Sequence, residues 1–285
     1  MDISSNLWYI ISFILLILIA LYIFIEPYWF NVKKIEIEFE DLPEEFNGFT
    51  ITHISDTHIS KQGFFEKKLA HLFKYLPETD ICLITGDLVY NEKAVPIFIE
   101  TVKNIKSRNG SYFVSGNSEY KSHNNHLRLI STISRIGGIK NIDNNHIELY
   151  KEGNKIEIIG IDESSVNKAD INTAFKGTSK NNFKIALVHC PSLTRDIIPY
   201  SPNLILAGHT HGGQVRLPFN IIYTHMPKDK TLNDSFFTPD KISKIIKKDV
   251  KKSHLLVNRG LGTSNLWIRF RCRPELYLIT LKKKK

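Results

Sequence analysis

The stretch Gly208-His209-Thr210-His211-Gly212-Gly213 decides how the rest of the chain is read. An apolar run, Leu204-Ile205-Leu206-Ala207, leads straight into it, so the segment reads as a buried strand ending in a tight loop. Glycines let a backbone approach a small ligand closely. Two imidazoles two residues apart suit a borderline divalent ion such as Zn, Mn or Fe. Taken alone, such a pair is as often two ordinary loop histidines. Its weight comes from four other polar clusters, each at the end of an apolar run.

Ile51 to Ser55 is followed by Asp56-Thr57-His58, Ile81 to Thr85 by Gly86-Asp87, Tyr112 to Ser115 by Gly116-Asn117-Ser118-Glu119, and Ile185 to Val188 by His189. Open α/β sheets bind ligands just past the C-termini of their strands. Singly, each cluster has a plainer reading. Asp56-x-His58 and Gly86-Asp87 are common turn sequences, Asn117 a loop amide bonded to its own backbone, and His189 a packed core histidine. Jointly they offer two carboxylates, one amide oxygen and four imidazoles, a donor set for two metal ions. Two cations about 3.5–4 Å apart need a bridging anion, lower the pKa of a shared water, and clamp both oxygens of an in-line phosphoryl displacement.

Outward from these clusters the pattern alternates. Strands are expected over 35–40, 49–54, 80–85 and 111–115, with helices over 64–75, 94–105 and 127–136 between them, which implies an α/β sheet covered by helices. From about Ile139 the texture turns to strands at 147–150, 155–161, 183–188, 203–207, 255–258 and 275–281, read as a second, more antiparallel sheet. Phe219 to Lys252 is the least readable stretch, taken as an insertion with one basic helix around 241–252. Asp162 either lines the pocket or caps a turn, and His53, inside a strand, reads as packing.

The 285 residues are 42% hydrophobic and 24% charged, enough for one large core. Leu7 to Ile25 contains one polar residue, Ser12, and no charge, with Trp8, Tyr9 and Tyr28 to Phe30 near its ends. That is the length and flanking of a transmembrane anchor. No Lys or Arg precedes it and no small-x-small site follows, so an uncleaved anchor is expected rather than a signal peptide. Lys33 and Lys34 after the span place the bulk, residues 33–285, in the cytoplasm at the inner membrane. The net charge of +9 clusters at Lys247 to Lys252 and Lys282 to Lys285. It reads first as solvated surface and second as attraction to anionic headgroups or a polyanionic substrate. No specific nucleic-acid motif is visible. Three widely spaced cysteines form no redox or zinc pattern.

The ordered series Asp-x-His, Gly-Asp, Gly-Asn, His, Gly-His-x-His resembles the calcineurin-like metallophosphoesterase superfamily. Gly212-Gly213-Gln214-Val215-Arg216-Leu217-Pro218, Asn258-Arg259-Gly260-Leu261-Gly262-Thr263-Ser264, Ile268-Arg269-Phe270 and Arg273-Pro274-Glu275-Leu276 resemble its bacterial membrane-anchored branch. The resemblance implies a four-layer α/β/β/α sandwich after one N-terminal transmembrane helix. It implies two divalent ions (Mn, Fe or Zn), one held by Asp56, His58 and His211, the other by Asn117, His189 and His209, with Asp87 bridging. Asp87, Asn117 and His209 are the residues it assigns to catalysis.

One position departs from the pattern. Ser118 stands where a histidine usually follows Gly-Asn, and that histidine stabilises the transition state or protonates the leaving group. General acid help is worth roughly 10²–10⁴-fold, so either the leaving group is a good one or another residue covers the role. Glu119, which would orient that histidine, loses the task here and reads as structural. Arg216, Arg269 and Arg271 are candidates to face a phosphate. The expected function is a membrane-anchored phosphoesterase that cleaves a phosphodiester or pyrophosphate, with a lipid-linked substrate. UDP-2,3-diacylglucosamine of lipid A synthesis is the specific case, because that pathway's hydrolases in the superfamily can lack the same histidine. The rivals are a broad phosphodiesterase or phosphomonoesterase on soluble substrates, and a non-catalytic, metal-stabilised membrane scaffold.

Overall fold

The computed structural model of the protein describes residues 3–121, 126–218, 222–223, 231–233 and 235–284. Elements follow in chain order: α1 (Ile3–Ile25), β1 (Asn31–Phe39), β2 (Thr50–Ile54), α2 (Phe64–Lys74), β3 (Ile81–Thr85), α3 (Val95–Val102), β4 (Ser111–Val114) and α4 (Asn117–Lys121). Next come α5 (His126–Gly137), β5 (Ile139–Asn141), β6 (Asn145–Lys151), β7 (Asn154–Gly160), α6 (Ile171–Phe175), β8 (Phe183–Leu187), α7 (Thr194–Ile197) and β9 (Leu204–Ala207). The chain closes with β10 (Val215–Arg216), β11 (Ile222–Tyr223), β12 (Ser235–Phe237), α8 (Pro239–Ile246), β13 (His254–Val257) and β14 (Glu275–Lys283).

Two six-stranded sheets face each other, in the orders β1-β14-β2-β3-β4-β5 and β12-β13-β9-β8-β7-β6. Period-two alternation builds the layers. Ile81 and Leu83 of β3 point between the sheets and meet Ile185, Leu187, Leu204 and Leu206. Cys82 and Ile84 point outward, under Leu69 and Phe73 of α2 and Phe98 of α3. On the far sheet Ala186, Ile205 and Ala207 point outward under Ile197 of α7 and Ile242 of α8. The result is the four-layer α/β/β/α sandwich.

Three sequence expectations are corrected. The second sheet is parallel through β13, β9, β8 and β7 and antiparallel only at its β12 and β6 edges. Strands buried on both faces read as continuous apolar runs, which carry no sign of direction. The last strand, β14, belongs to the first sheet, parallel to β1 and antiparallel to β2. Of the stretch 219–252, residues 219–221, 224–230 and 234 lie outside the described residues. The basic helix in it is only Pro239–Ile246, because Lys247 turns left-handed (φ 55°) and the lysines beyond it are not helical.

Residues Leu7–Tyr28 form a helical segment of mean hydropathy 2.8, long and apolar enough to cross a membrane. Its side chains from Leu7 to Leu21 are exposed, so no part of the sandwich covers them. The three cysteines are free and buried.

Candidate metal centre

Every cluster read from the sequence sits just beyond a strand C-terminus, and the two sheets bring those ends together. Asp56, His58 and His211 form one group of converging ligand atoms and Asp87, His189 and His209 a second, each with its atoms within 4.8 Å of one another. The groups adjoin. His58 Nε2 lies 3.3 Å from one oxygen of Asp87, and His189 Nε2 lies 3.5 Å from the other. Asp87 thus stands between the sets, where a bridging carboxylate belongs. Asn117 heads α4 beside it, since the Ser118 N–H donates to Asp87 Oδ1 at 2.7 Å.

The local backbone explains how so many polar groups converge. Asp56, His58, Asp87, His209 and His211 all take positive φ, between 45° and 68°. Non-glycine residues adopt that region at a cost and mostly where surrounding structure over-determines it. Here the surroundings are tight. A side chain on Gly208 would collide with Ser55 Oγ and Asp56 Oδ2, and one on Gly86 would meet Gly116 N at 2.6 Å and His189 Nδ1 at 2.7 Å. Glycine is therefore required for the five loops to pack.

The protonation pattern is that of a cation site. His189 Nδ1–H donates to the Thr85 carbonyl at 2.7 Å, which aims Nε2 at Asp87 and at His209 Nδ1, 2.9 Å away. His58 Nε2 and His211 Nε2 face each other at 3.1 Å. Burial pushes His209 down to about 3 and lowers His58 and His211, so these three imidazoles are neutral lone-pair donors. Burial raises Asp56 to about 7, with His189 pulling against it. Burial also works against the Asp87 charge, but His189 and His58 beside it hold it well below the usual range. The same Asp87 overcomes the burial penalty of His189 and holds that imidazole well above its ordinary value. Asn117 Oδ1 is buried with no hydrogen-bond partner. An orphaned acceptor beside facing imidazole nitrogens fits two divalent ions of the borderline class.

The supporting residues take definite roles in the structure, some as read from the sequence and some not. Glu119 does more than orient a neighbour. Its buried carboxylate accepts the backbone N–H groups of Gly116 (2.8 Å), Asp87 (2.9 Å), Leu88 (2.7 Å) and Val89 (3.3 Å), tying the loop after β3 to the loop after β4. Ser118 Oγ is turned onto Glu119 at 3.3 Å and is buried. Arg269 does not face a phosphate. It is 0% exposed, and its guanidinium donates to the carbonyls of Arg259, Gly260, Gly262 and Cys272 behind His211. Arg216 turns its Nε to the Gly212 carbonyl at 2.7 Å. Arg271 is exposed. Asp162 accepts the Tyr120 hydroxyl and the Glu163 N–H, a cap rather than a ligand. His53 packs in the core with Nε2 on Thr85 Oγ1 at 3.0 Å. Lys121, exposed at the end of α4, is a cation whose charge lowers both His58 and His209. Glu119 and Arg269 carry no sequence signal of their role, because their partners are backbone atoms distant in the chain.

The glycine-rich motifs also acquire a structural meaning. Gln214 Nε2 donates to the carbonyls of Ser264 and Leu266, both at 3.1 Å, and its Oε1 accepts the Ser264 N–H. Gly260 packs on Asp56 Cβ, where an added side chain would come within 2.6 Å. The stretch 258–276 therefore forms a wall behind both Asp56 and His211.

The family model described as calcineurin-like phosphoesterase matches residues 49–213. The chain is 28% identical over 264 residues to the metallophosphoesterase YkuE of Bacillus subtilis strain 168, covering 91% of this chain and 88% of that protein. It is 28% identical to a Bos taurus transmembrane protein with metallophosphoesterase domain, covering 67% of this chain and 46% of that protein. Among solved structures it resembles the NAD nucleotidase of Haemophilus influenzae, with TM-score 0.45 and 17% identity over 75% of this chain and 50% of that one. The phosphopantetheinyl hydrolase of Mycobacterium tuberculosis also aligns, with TM-score 0.45 and 11% identity over 79% of this chain and 96% of that one.

Proposed function

Since the chain belongs to the calcineurin-like phosphoesterase family, and is thereby a metal-dependent phosphoester hydrolase, we propose that it works from a membrane on a phosphodiester or pyrophosphate of a lipid-linked substrate. The observation that carries the reading is the joining of two ligand groups by Asp87, directly behind a chain that begins with an apolar helix. In this reading Asp56, His58 and His211 hold one ion, Asn117, His189 and His209 the other, and Asp87 both. When bound, the pair supplies Lewis acidity and a nucleophile at neutral pH.

This chain's own residues set what kind of bond suits the site. Ser118 offers no acid near neutral pH, and its hydroxyl is committed to Glu119. Lys121 adds positive charge that reaches both sets. A leaving group that departs as an anion without protonation, such as a nucleotide phosphate or a phenolate, matches that arrangement. UDP-2,3-diacylglucosamine is the lipid-linked pyrophosphate to try first. Lys33 lies in β1 and pairs with Glu275 at 2.7 Å. The cytoplasmic orientation at the inner membrane rests on Lys33 and Lys34 as sequence charges.

The test uses the full chain in detergent, stripped of metal and then given Mn, with bis-p-nitrophenyl phosphate as substrate. Turnover is expected only with metal. Asp87→Asn and His209→Ala should each lower it at least about 10³-fold, since a metal's charge stabilisation is several kcal/mol and each 1.36 kcal/mol is tenfold. Metal-independent turnover, or full activity in both variants, sinks the two-metal assignment. Absence of uridine monophosphate release from UDP-2,3-diacylglucosamine by an enzyme active on the diester removes that substrate alone.

A further inference from the structure

The apolar helix does not end in a loose tether. At its exit Glu26 is buried, and its two carboxylate oxygens accept the backbone N–H groups of Arg271 and Cys272, both at 2.7 Å. The Ile23 carbonyl accepts the Arg269 N–H at 3.1 Å. Tyr22 packs edge-on against Phe270, and Tyr28 accepts the Trp267 indole N–H at 2.9 Å. The helix is thus clamped onto residues 267–272. That segment is the wall of the metal centre: Arg269 braces the loops behind His211, and the Cys272 thiol donates to the His211 carbonyl at 3.2 Å.

The exposed surface next to this joint is apolar and basic. Phe64, 68% exposed, packs on Tyr28, and Leu266, 60% exposed, sits between Asn265 and Trp267. Asn265 N–H donates to the Tyr90 hydroxyl, and the Tyr90 ring lies 5.2 Å from the His58 ring. The Tyr90 side chain therefore links the mouth of the site to the Leu266 turn. Arg273 stacks over half-exposed Trp29 at 5.0 Å, and Arg271 is exposed beside it. Aromatic and aliphatic tips among arginines match the boundary between lipid headgroups and acyl chains.

We propose that this rim (Trp29, Phe64, Tyr90, Leu266, Arg271 and Arg273) rests in the bilayer interface, so that the metal centre opens onto the leaflet and takes the anionic phosphate of a membrane lipid from within it. The inference rests on the anchor reading and adds a face and a depth to it. The occupant is the bilayer because the rim is continuous with the point where the apolar helix leaves the domain. Clamping by Glu26 fixes the domain's tilt, which a flexible linker would leave free.

The test reads immersion at chosen positions in the full chain, reconstituted in nanodiscs of phosphatidylcholine and phosphatidylglycerol. The native cysteines are buried, so Ile14→Cys, Phe64→Cys, Leu266→Cys and Tyr150→Cys each add one accessible thiol for a nitroxide label. Tyr150 is exposed near the end of β6, at the opposite pole of the sheets. Collision with oxygen, which partitions into lipid, is compared with collision with a water-soluble nickel chelate. The oxygen-to-nickel ratio at Leu266 and Phe64 is expected to be at least about threefold that at Tyr150, as for side chains seated some 5–10 Å into the headgroup boundary. Immersion of Ile14 with Leu266 and Phe64 no different from Tyr150 overturns the rim and leaves the anchor standing. Water exposure at Ile14 as well overturns the anchor and the rim together.

Discussion

At the N-terminal ends of the β8 and β9 strands, Lys184 is 1% exposed, yet its ammonium donates to the carbonyls of Ser179, Lys180 and Asn182. Beside it the Asn203 amide is fully used, donating to both oxygens of Asp41 at 2.6 and 2.7 Å and accepting the Lys184 N–H at 2.8 Å. At the C-terminal ends of the same strands His189 and His209 are also buried, but their ring nitrogens face each other, and the nearby Asn117 oxygen has no partner. Five of the surrounding residues take left-handed backbone. Both poles bury polar groups at a desolvation cost. At one pole Lys184, Asn203 and Asp41 meet that cost with donors matched to acceptors. The other gathers acceptors that converge on one another, a donor set that divalent cations would satisfy. Burial of polar side chains therefore does not mark a site; convergence of unsatisfied acceptors does.

The strongest way to break this contrast is through the residue that sits between the two kinds of pole. Glu119 is satisfied, with four backbone donors, but its partners carry Asp87 and Asn117. Glu119→Gln turns one acceptor into a donor that faces backbone N–H groups. Metal affinity is expected to fall about 10–100-fold, as for other residues that brace metal ligands. It should be read by titrating Mn into the stripped protein by calorimetry and by activity. Unchanged metal affinity with lowered folding stability would make Glu119 a packing residue only.

This residue also shows where the sequence was legible. The seven proposed ligands were visible because each follows an apolar run, and a strand with a polar end leaves a local mark. The layers were visible for the same reason, since the periodicity of α2 and of the buried strands is local. Sheet membership of β14 was not, because its neighbours β1 and β2 lie more than 200 residues away in the chain. Glu119, Arg269 and Glu26 act on backbone atoms of distant loops, and backbone atoms leave no pattern in a sequence. The rim around Leu266 was invisible too, since it is assembled from four separate segments.

The satisfied pole makes the converse prediction. Lys184→Met removes the ammonium and strands three carbonyls, so folding stability should fall by about 1–3 kcal/mol, the usual cost of leaving buried partners unmade. Turnover of the diester and its Mn dependence should not change, because the hydrogen-bond partners of Lys184 among the described residues, Ser179, Lys180, Asn182 and Asn203, lie outside the loops of the centre. Urea unfolding and steady-state rates measured on one preparation would show both. A large loss of kcat in a folded variant would mean that the two poles communicate and that the contrast is drawn too sharply.

The smallest effect belongs to Asp41, and its sign is set by the charge it keeps. Burial disfavours the carboxylate, but donation from Lys252 and Asn203 outweighs this and holds it below the ordinary range. A depressed carboxylate contributes stability that is fully present above its unfolded pKa of about 3.9 and is lost as pH falls through the lower folded value. Asp41→Asn should therefore unfold at lower urea than the wild type between about pH 5 and 7, and the two midpoints should draw together below about pH 4. The side chain is 39% exposed and its partner Lys252 32%, so solvent screening keeps the difference under about 1 kcal/mol. Added salt should shrink it further. A midpoint difference that persists unchanged to the acid limit would show that the Asn203 hydrogen bonds, rather than the charge, hold this corner. The satisfied pole would then rest on matched hydrogen bonds rather than on the charge of Asp41, which sharpens its contrast with a centre that needs cations.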